Sequence, residues 1–206
     1  SHWYYAVGDG TLYKNVVKTI AGKKYAFNDK GEMLAGLYIM DIDSGELKSK
    51  TAIDTEKAIA ALTAADAEQA DVYFFGDEET DGSMKFGTVK TEIDGDEYTF
   101  VFNSTGANKG KAVFGLKGGA YYANGAKVKA DADLKYQAFE CTFGEDGKVL
   151  TLESEALTAS EAKAAVAAKK DVCLIGTSGT IVKSGTKKDA DGVKFTVSGY
   201  AVTAVE

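Results

Sequence analysis

The sequence predicts a mainly β protein, a tandem array of β-hairpin repeats with two inserted α-helices. An α+β protein with two similar halves is the alternative. Three observations lead there. An aromatic cluster followed by a turn glycine recurs along the chain. Its 206 residues hold 23 glycines and no proline, so glycine must supply the turns. Two Ala-rich stretches with helical apolar spacing interrupt the array.

The recurrence begins at Trp3-Tyr4-Tyr5, followed by Gly10 and Leu12, and repeats as Lys24-Tyr25-Ala26-Phe27, followed by Gly31 and Met33. It returns in Val72 to Gly87, Glu97 to Gly110, Ala120 to Val128 and Cys173 to Gly185. Each copy reads as strand, tight Gly-containing turn, strand, because aromatic and β-branched residues fit a pleated surface. A longer duplication overlies the short one. Thr51 to Gly76 parallels Leu152 to Gly176, with an Ala-rich helix, Asp-Val and an apolar strand in each. The halves divide as 1–95, with a helix near 55–69, and 96–206, with a helix near 158–170, within one continuous module. Thr55 is placed to cap the first helix, whose stripe is Ala58, Ile59, Leu62 and Ala65. Thr158 or Ser160 is placed to cap the second, with Ala162, Ala165 and Val166 as its stripe.

Composition narrows the function classes. A formal charge of −7 and an isoelectric point near 4.9 disfavour nucleic acid and anionic membrane, which need clustered cations. All 24 basic residues are lysines, so the forked recognition of phosphate or carboxylate by arginine is missing. No apolar run approaches a membrane span, and Ser1 onward does not read as a signal peptide. The abrupt start and end suggest a fragment or mature form of something longer. Cys141 and Cys173 sit in apolar or aromatic runs and read as two small buried side chains, with a single bridge between neighbouring strands left open.

Catalytic candidates are weak, and no catalytic residue is assigned. The single histidine, His2, lies beside the terminus, so neither Ser-His nor Cys-His activation can be assembled. Ordinary zinc sites fail on the same ground, and no metal or cofactor is expected. The carboxylate groups Asp77-Glu78-Glu79, Asp94/Asp96 and Asp131/Asp133 lie beside turn glycines, where solvated acids are ordinary. A glycan-active enzyme would need two of them facing across a cleft. The acidic stretch Asp41 to Gly45 places its glycine one position early for an EF-hand, and Asp77 to Gly82 lacks alternating ligands. The loop Gly176 to Thr180 is Gly-rich but lacks the lysine of a phosphate loop.

The aromatics remain. In a strand, alternate side chains face opposite ways, so one of each pair can pack inward while its neighbour joins an outer ladder. Such a ladder can stack on sugar rings or enclose a quaternary ammonium group. Packing accounts for most of the aromatics. Ligand contact is expected where the cluster is densest, at Trp3, Tyr4 and Tyr5, with Tyr25, Tyr121 and Tyr122 as further candidates.

The stretch from Trp3 to Met33 resembles the cell wall-binding repeats of Gram-positive surface proteins, the group that includes choline-binding and glucan-binding modules. Tyr25, Phe27, Gly31, Met33 and Gly36 match that unit, as do Tyr73, Phe75, Gly82, Met84, Gly87 and Gly95, with Tyr121, Tyr122 and Gly125 matching in part. The pattern covers about half the chain. Where the family has Gly-Trp, this chain reads Gly36-Leu37, Gly87-Thr88 and Gly185-Thr186, and only Trp3 keeps the tryptophan before the aromatic pair. The resemblance therefore implies architecture more than ligand. It implies a non-catalytic module of a secreted or cell wall-attached protein, with a cell-wall polymer or extracellular glycan as partner. A structural or protein-interaction spacer without small ligand is the alternative. An exposed first or last hairpin edge leaves a homodimer open.

Overall fold

A computed structural model describes residues 2–76 and 81–206. Asp77, Glu78 and Glu79, named above as an acidic group, lie outside the described residues, as does most of the acidic stretch ending at Gly82. Among the described residues the protein is mainly β, with many small antiparallel sheets and two helices.

The chain divides into two compact units. Residues 1–60 with 70–112 make one, and residues 61–69 with 113–206 the other. In the first, strands β1 (Val16–Ile20) and β2 (Lys23–Phe27) form a hairpin. Strands β3 (Gly36–Asp43) and β4 (Glu46–Ala52) form the next, turning at Ser44-Gly45. Helix α1 (Glu56–Thr63) follows in the chain, with residues 61–63 counted in the second unit, and β5 (Val72–Phe75) returns to pair with β3. The sheet order is β2-β1-β4-β3-β5. A separate hairpin, β6 (Gly87–Ile93) with β7 (Asp96–Phe102), turns at Asp94-Gly95. The core of this unit gathers Ala26, Leu34, Met40, Leu47, Tyr73, Phe75 and Met84.

The second unit opens with β8 (Gly115–Lys117), β9 (Ala120–Ala123) and β10 (Ala126–Lys127). Strand β11 (Tyr136–Phe143) pairs with β12 (Val149–Leu152). After helix α2 (Ala159–Ala167), β13 (Val172–Gly176) returns to pair with β11. A meander of β14 (Gly185–Lys188), β15 (Lys194–Ser198) and β16 (Ala201–Val205) ends the chain. One core cluster lies around Tyr121, Phe139, Cys173 and Ile175, and another around Ala162, Leu174, Phe195 and Val202.

The order hairpin, helix and a strand returning to the hairpin's first strand occurs twice along the chain. The correspondence extends to single bonds. Met40 N–H donates to the Asp71 carbonyl at 2.9 Å, and Cys141 N–H to the Asp171 carbonyl at 3.0 Å. The returning strands Val72–Phe75 and Val172–Gly176 are buried throughout, which explains why their sequences run apolar without alternation.

Both helices are shorter than the Ala-rich stretches that announce them. Thr55 Oγ1 accepts from Ala58 N–H at the start of α1, but the helix stops at Thr63. There the buried Asn124 amide donates to the carbonyls of Leu62 and Glu68, each at 2.9 Å, and so satisfies backbone that more helix would have covered. Helix α2 is capped by Thr158 in a capping box with Glu161. It ends in a Schellman arrangement, with Lys169 at φ 59 and the Lys169 and Lys170 amides bonded back to Val166 and Ala165.

A short-range rule governs the repeats. In five places the residue two beyond a turn glycine bridges back to the preceding strand or strand-like segment: Ala6–Leu12, Phe27–Met33, Phe75–Met84, Phe102–Ala112 and Ile175–Ile181. That same residue also bonds to another repeat. Met33 N–H donates to the Trp3 carbonyl, Met84 N–H to Lys24, and Ala112 N–H to Val72. Its side chain covers the next repeat's turn glycine. A Cβ on Gly82 would lie 2.3 Å from Met33 Cε, and one on Gly110 would lie 2.4 Å from Met84 Sδ. Glycine is required there for its positive φ and for the close approach above it.

Candidate ligand-binding cleft

The N-terminal segment is held in place by its backbone while its rings remain outside. Trp3 accepts from Met33 N–H at 2.7 Å, and Tyr5 accepts from Tyr13 N–H at 3.2 Å. The Tyr4 hydroxyl donates to Glu32 Oε1 at 3.4 Å. Asn28 in turn donates to Glu32 Oε2 at 2.7 Å, and this bond is the leading reason the Glu32 carboxyl lies below its ordinary range.

These restraints leave Trp3 63%, Tyr4 50% and Tyr5 42% exposed. The three rings line an open cleft of about 370 Å³ together with Ile20, Tyr25, Phe27, Met33 and Asp81. Four of the six aromatics expected to contact ligand therefore meet in one place. The other two do not join them. Tyr121 and Tyr122, in the second unit, are 1% and 9% exposed. Tyr121 packs at the edge of Phe114, and burial is the main cause holding its phenol above its ordinary value. They are packing residues, because β9 is buried along its whole length.

The residues not anticipated are Ile20, Met33, Asp81 and Tyr13. Tyr13 stacks on Tyr5 with ring centroids 5.5 Å apart and planes 6° from parallel, and itself leans on Phe27 at 5.8 Å. It thus contacts two rings that line the cleft. Its signal was its place directly after Leu12, the residue two beyond Gly10. Met33, two beyond Gly31, has the position of Leu12, so the repeat pattern carried Met33 directly and Tyr13 only as the neighbour of that position.

Asp81 marks the polar side of the cleft. Its carboxylate accepts from Lys23 Nζ at 2.6 Å and from Lys85 Nζ at 2.7 Å. It also takes the Ser83 hydroxyl and amide. Lys23 is the largest cause and Lys85 the next, and together these bonds hold the Asp81 carboxyl far below the usual carboxylate range. The acid is thereby neutralised by its neighbours, and the cleft is apolar and aromatic rather than anionic. The outer aromatic ladder does not extend along the array. Phe27, Tyr73, Phe74, Phe75, Phe100 and Phe102 are buried.

The other acidic pairs have local roles. Asp94 Oδ2 accepts from Glu56 N–H at the start of α1, and Asp131 Oδ1 accepts from Asp133 N–H within its turn. Cys141 and Cys173 are buried free thiols. Mutual hydrogen bonding, followed by burial, pushes the Cys173 thiol well above its ordinary value.

No family model matches the chain, and no curated protein matches it. Solved structures with similarity include CbpF in complex with ipratropium, at 15% identity and a TM-score of 0.39, covering 98% of this chain and 70% of that one. Alternansucrase in complex with isomaltononaose is similar at 15% identity and a TM-score of 0.27, covering 98% of this chain and 14% of that one.

No helix among the described residues is long and apolar enough to cross a membrane.

Proposed function

We propose that the protein is a non-catalytic glycan-binding module, secreted or cell wall-attached, that stacks sugar rings of a cell-wall polymer or extracellular glycan on Trp3, Tyr4, Tyr5 and Tyr25. The observation that carries this reading is that Trp3, Tyr4 and Tyr5, all exposed, meet in one cleft. Phe86 is the other exposed large aromatic of that unit among the described residues, and it does not line this cleft. Exposed aromatic surface of this size needs a reason, and a pyranose offers the flat apolar face that fits it. A quaternary ammonium ligand fits less well, because Asp81, the carboxylate lining the cleft, is already held by Lys23 and Lys85.

The test is retention on isolated Gram-positive cell walls, with glucan and choline as separate competitors. Trp3→Ala is expected to weaken glucan-competable binding about two- to tenfold, since one aromatic contact is worth roughly 0.5–1.5 kcal/mol. Its circular dichroism should match the parent's. No binding by either protein, or equal binding by both, would remove the cleft from the function. The chain would then read as a structural or protein-interaction spacer.

A further inference from the structure

The second unit contains a different kind of site. A cavity of about 570 Å³ is lined by Lys135, Lys183 and Lys187, by the loop Gly176 to Thr180, and by Tyr136 and Ser184. Among the described residues, no carboxylate lines it. In a chain of net charge −7, three lysines line one hollow with no described carboxylate among its lining residues, a setting that favours an anion over a cation. None of the three forms an ion pair with a described carboxylate. The lysine-rich groove of the first unit differs on this point. It is lined by Lys23, Lys24, Lys85 and Lys109 but also by Asp81, which takes Lys23 and Lys85.

The cavity is also built to hold its shape. Lys135 sits in left-handed backbone at φ 67. Its N–H donates to the Asp131 carbonyl and its carbonyl accepts from Thr177 N–H, at 3.3 and 3.1 Å. A non-glycine residue in this region is a modest strain that surrounding bonds must enforce, and here it ties the lysine to the Gly-rich loop. The loop is closed by Gly176 N–H on the Thr180 carbonyl and by Gly179 N–H on the Gly176 carbonyl. Ser178 Oγ donates to Thr180 Oγ1 at 2.9 Å. The Lys183 carbonyl is held by Tyr200 N–H at 2.8 Å. The sequence lacks a lysine inside this loop, as a phosphate loop would have. The fold instead brings lysines from three other positions.

We propose that this cavity binds a phosphate-type oxyanion, with Lys135, Lys183 and Lys187 supplying charge and the hydroxyls of Thr177 and Ser184 supplying neutral donors. The inference does not depend on the aromatic cleft, which lies in the other unit.

The experiment is a titration of the full chain with inorganic phosphate at low ionic strength, followed by amide chemical shifts. Chloride serves as the control anion. Saturable shifts at residues 135–136 and 176–187 are expected in the millimolar range. The Lys183→Gln/Lys187→Gln double variant should weaken binding roughly tenfold or more, since each lost cation removes a charge-assisted bond. The single variant Lys183→Gln, at an exposed position, serves if the double variant does not fold. Absence of saturation, shifts equal to those with chloride, or unchanged affinity in a folded variant would overturn the site. A polyphosphate arm identifies the source. Displacement of phosphate by the polymer points to a chain-borne group, and lack of displacement to the free ion, and both outcomes require the site. Trp3→Ala should leave phosphate binding unchanged, so failure here and failure of glycan binding are separable.

Discussion

At the scale of single residues, the turn glycines are not equivalent. Gly22 has φ +81 with nothing near the position a Cβ would take, whereas Gly110 has φ +90 and Met84 Sδ at 2.4 Å from that position. Gly22→Ala should cost only the backbone strain, about 1 kcal/mol. Gly110→Ala adds overpacking against a buried methionine, roughly 1–3 kcal/mol more. Urea unfolding of both variants measures the difference. Met84→Ala introduced into Gly110→Ala should recover part of the extra loss, as the coupling in a double-mutant cycle. Equal costs at both glycines would mean that the methionine yields freely. This pairing of glycine and methionine was half visible in the sequence. The spacing from Gly82 to Met84 is plain, but that Met33 covers Gly82, forty-nine residues on, depends on how repeats stack.

At the scale of elements, capping residues decide where the helices begin and stop. Thr158 directly precedes α2 and Glu161 lies in its first turn, so that boundary could be read directly. The end of α1 could not, because its partner Asn124 lies 62 residues from Leu62. Asn124→Ala should expose this dependence. Two carbonyls that the amide satisfies would lose a donor in a place where Asn124 itself is buried, at a cost of roughly 1–3 kcal/mol for a group left unsatisfied. The unfolding midpoint in urea should fall, with an unchanged slope. A shift within error would mean that water replaces the amide.

At the scale of the whole molecule, each of the two units has its own core, and the thiols report on the second. Cys141 and Cys173 belong to its cluster with Tyr121 and Phe139. Their burial, with the Cys173 thiol held protonated by its neighbour and its surroundings, predicts no reaction with a disulfide reagent at neutral pH in the native protein. Both thiols should become reactive together when urea unfolds that unit. Fast labelling of the native protein would show that the core opens locally.

Taken alone, the sequence determined the class of this protein: hairpins from aromatic strands and turn glycines, and two helices from Ala-rich apolar spacing. It also marked Trp3, Tyr4 and Tyr5 as the densest aromatic cluster, because these residues are neighbours in the chain, with Tyr25, Tyr121 and Tyr122 as further candidates. Only the tertiary structure decided which aromatics stay outside. Tyr4-Tyr5 and Tyr121-Tyr122 look alike as local patterns, yet the second pair is buried in β9. Exposure depends on what packs over a strand, and that is set by distant chain. The same reason hid the lysine-lined cavity, since Lys135, Lys183 and Lys187 become neighbours only after β11, the loop after β13 and β14 come together.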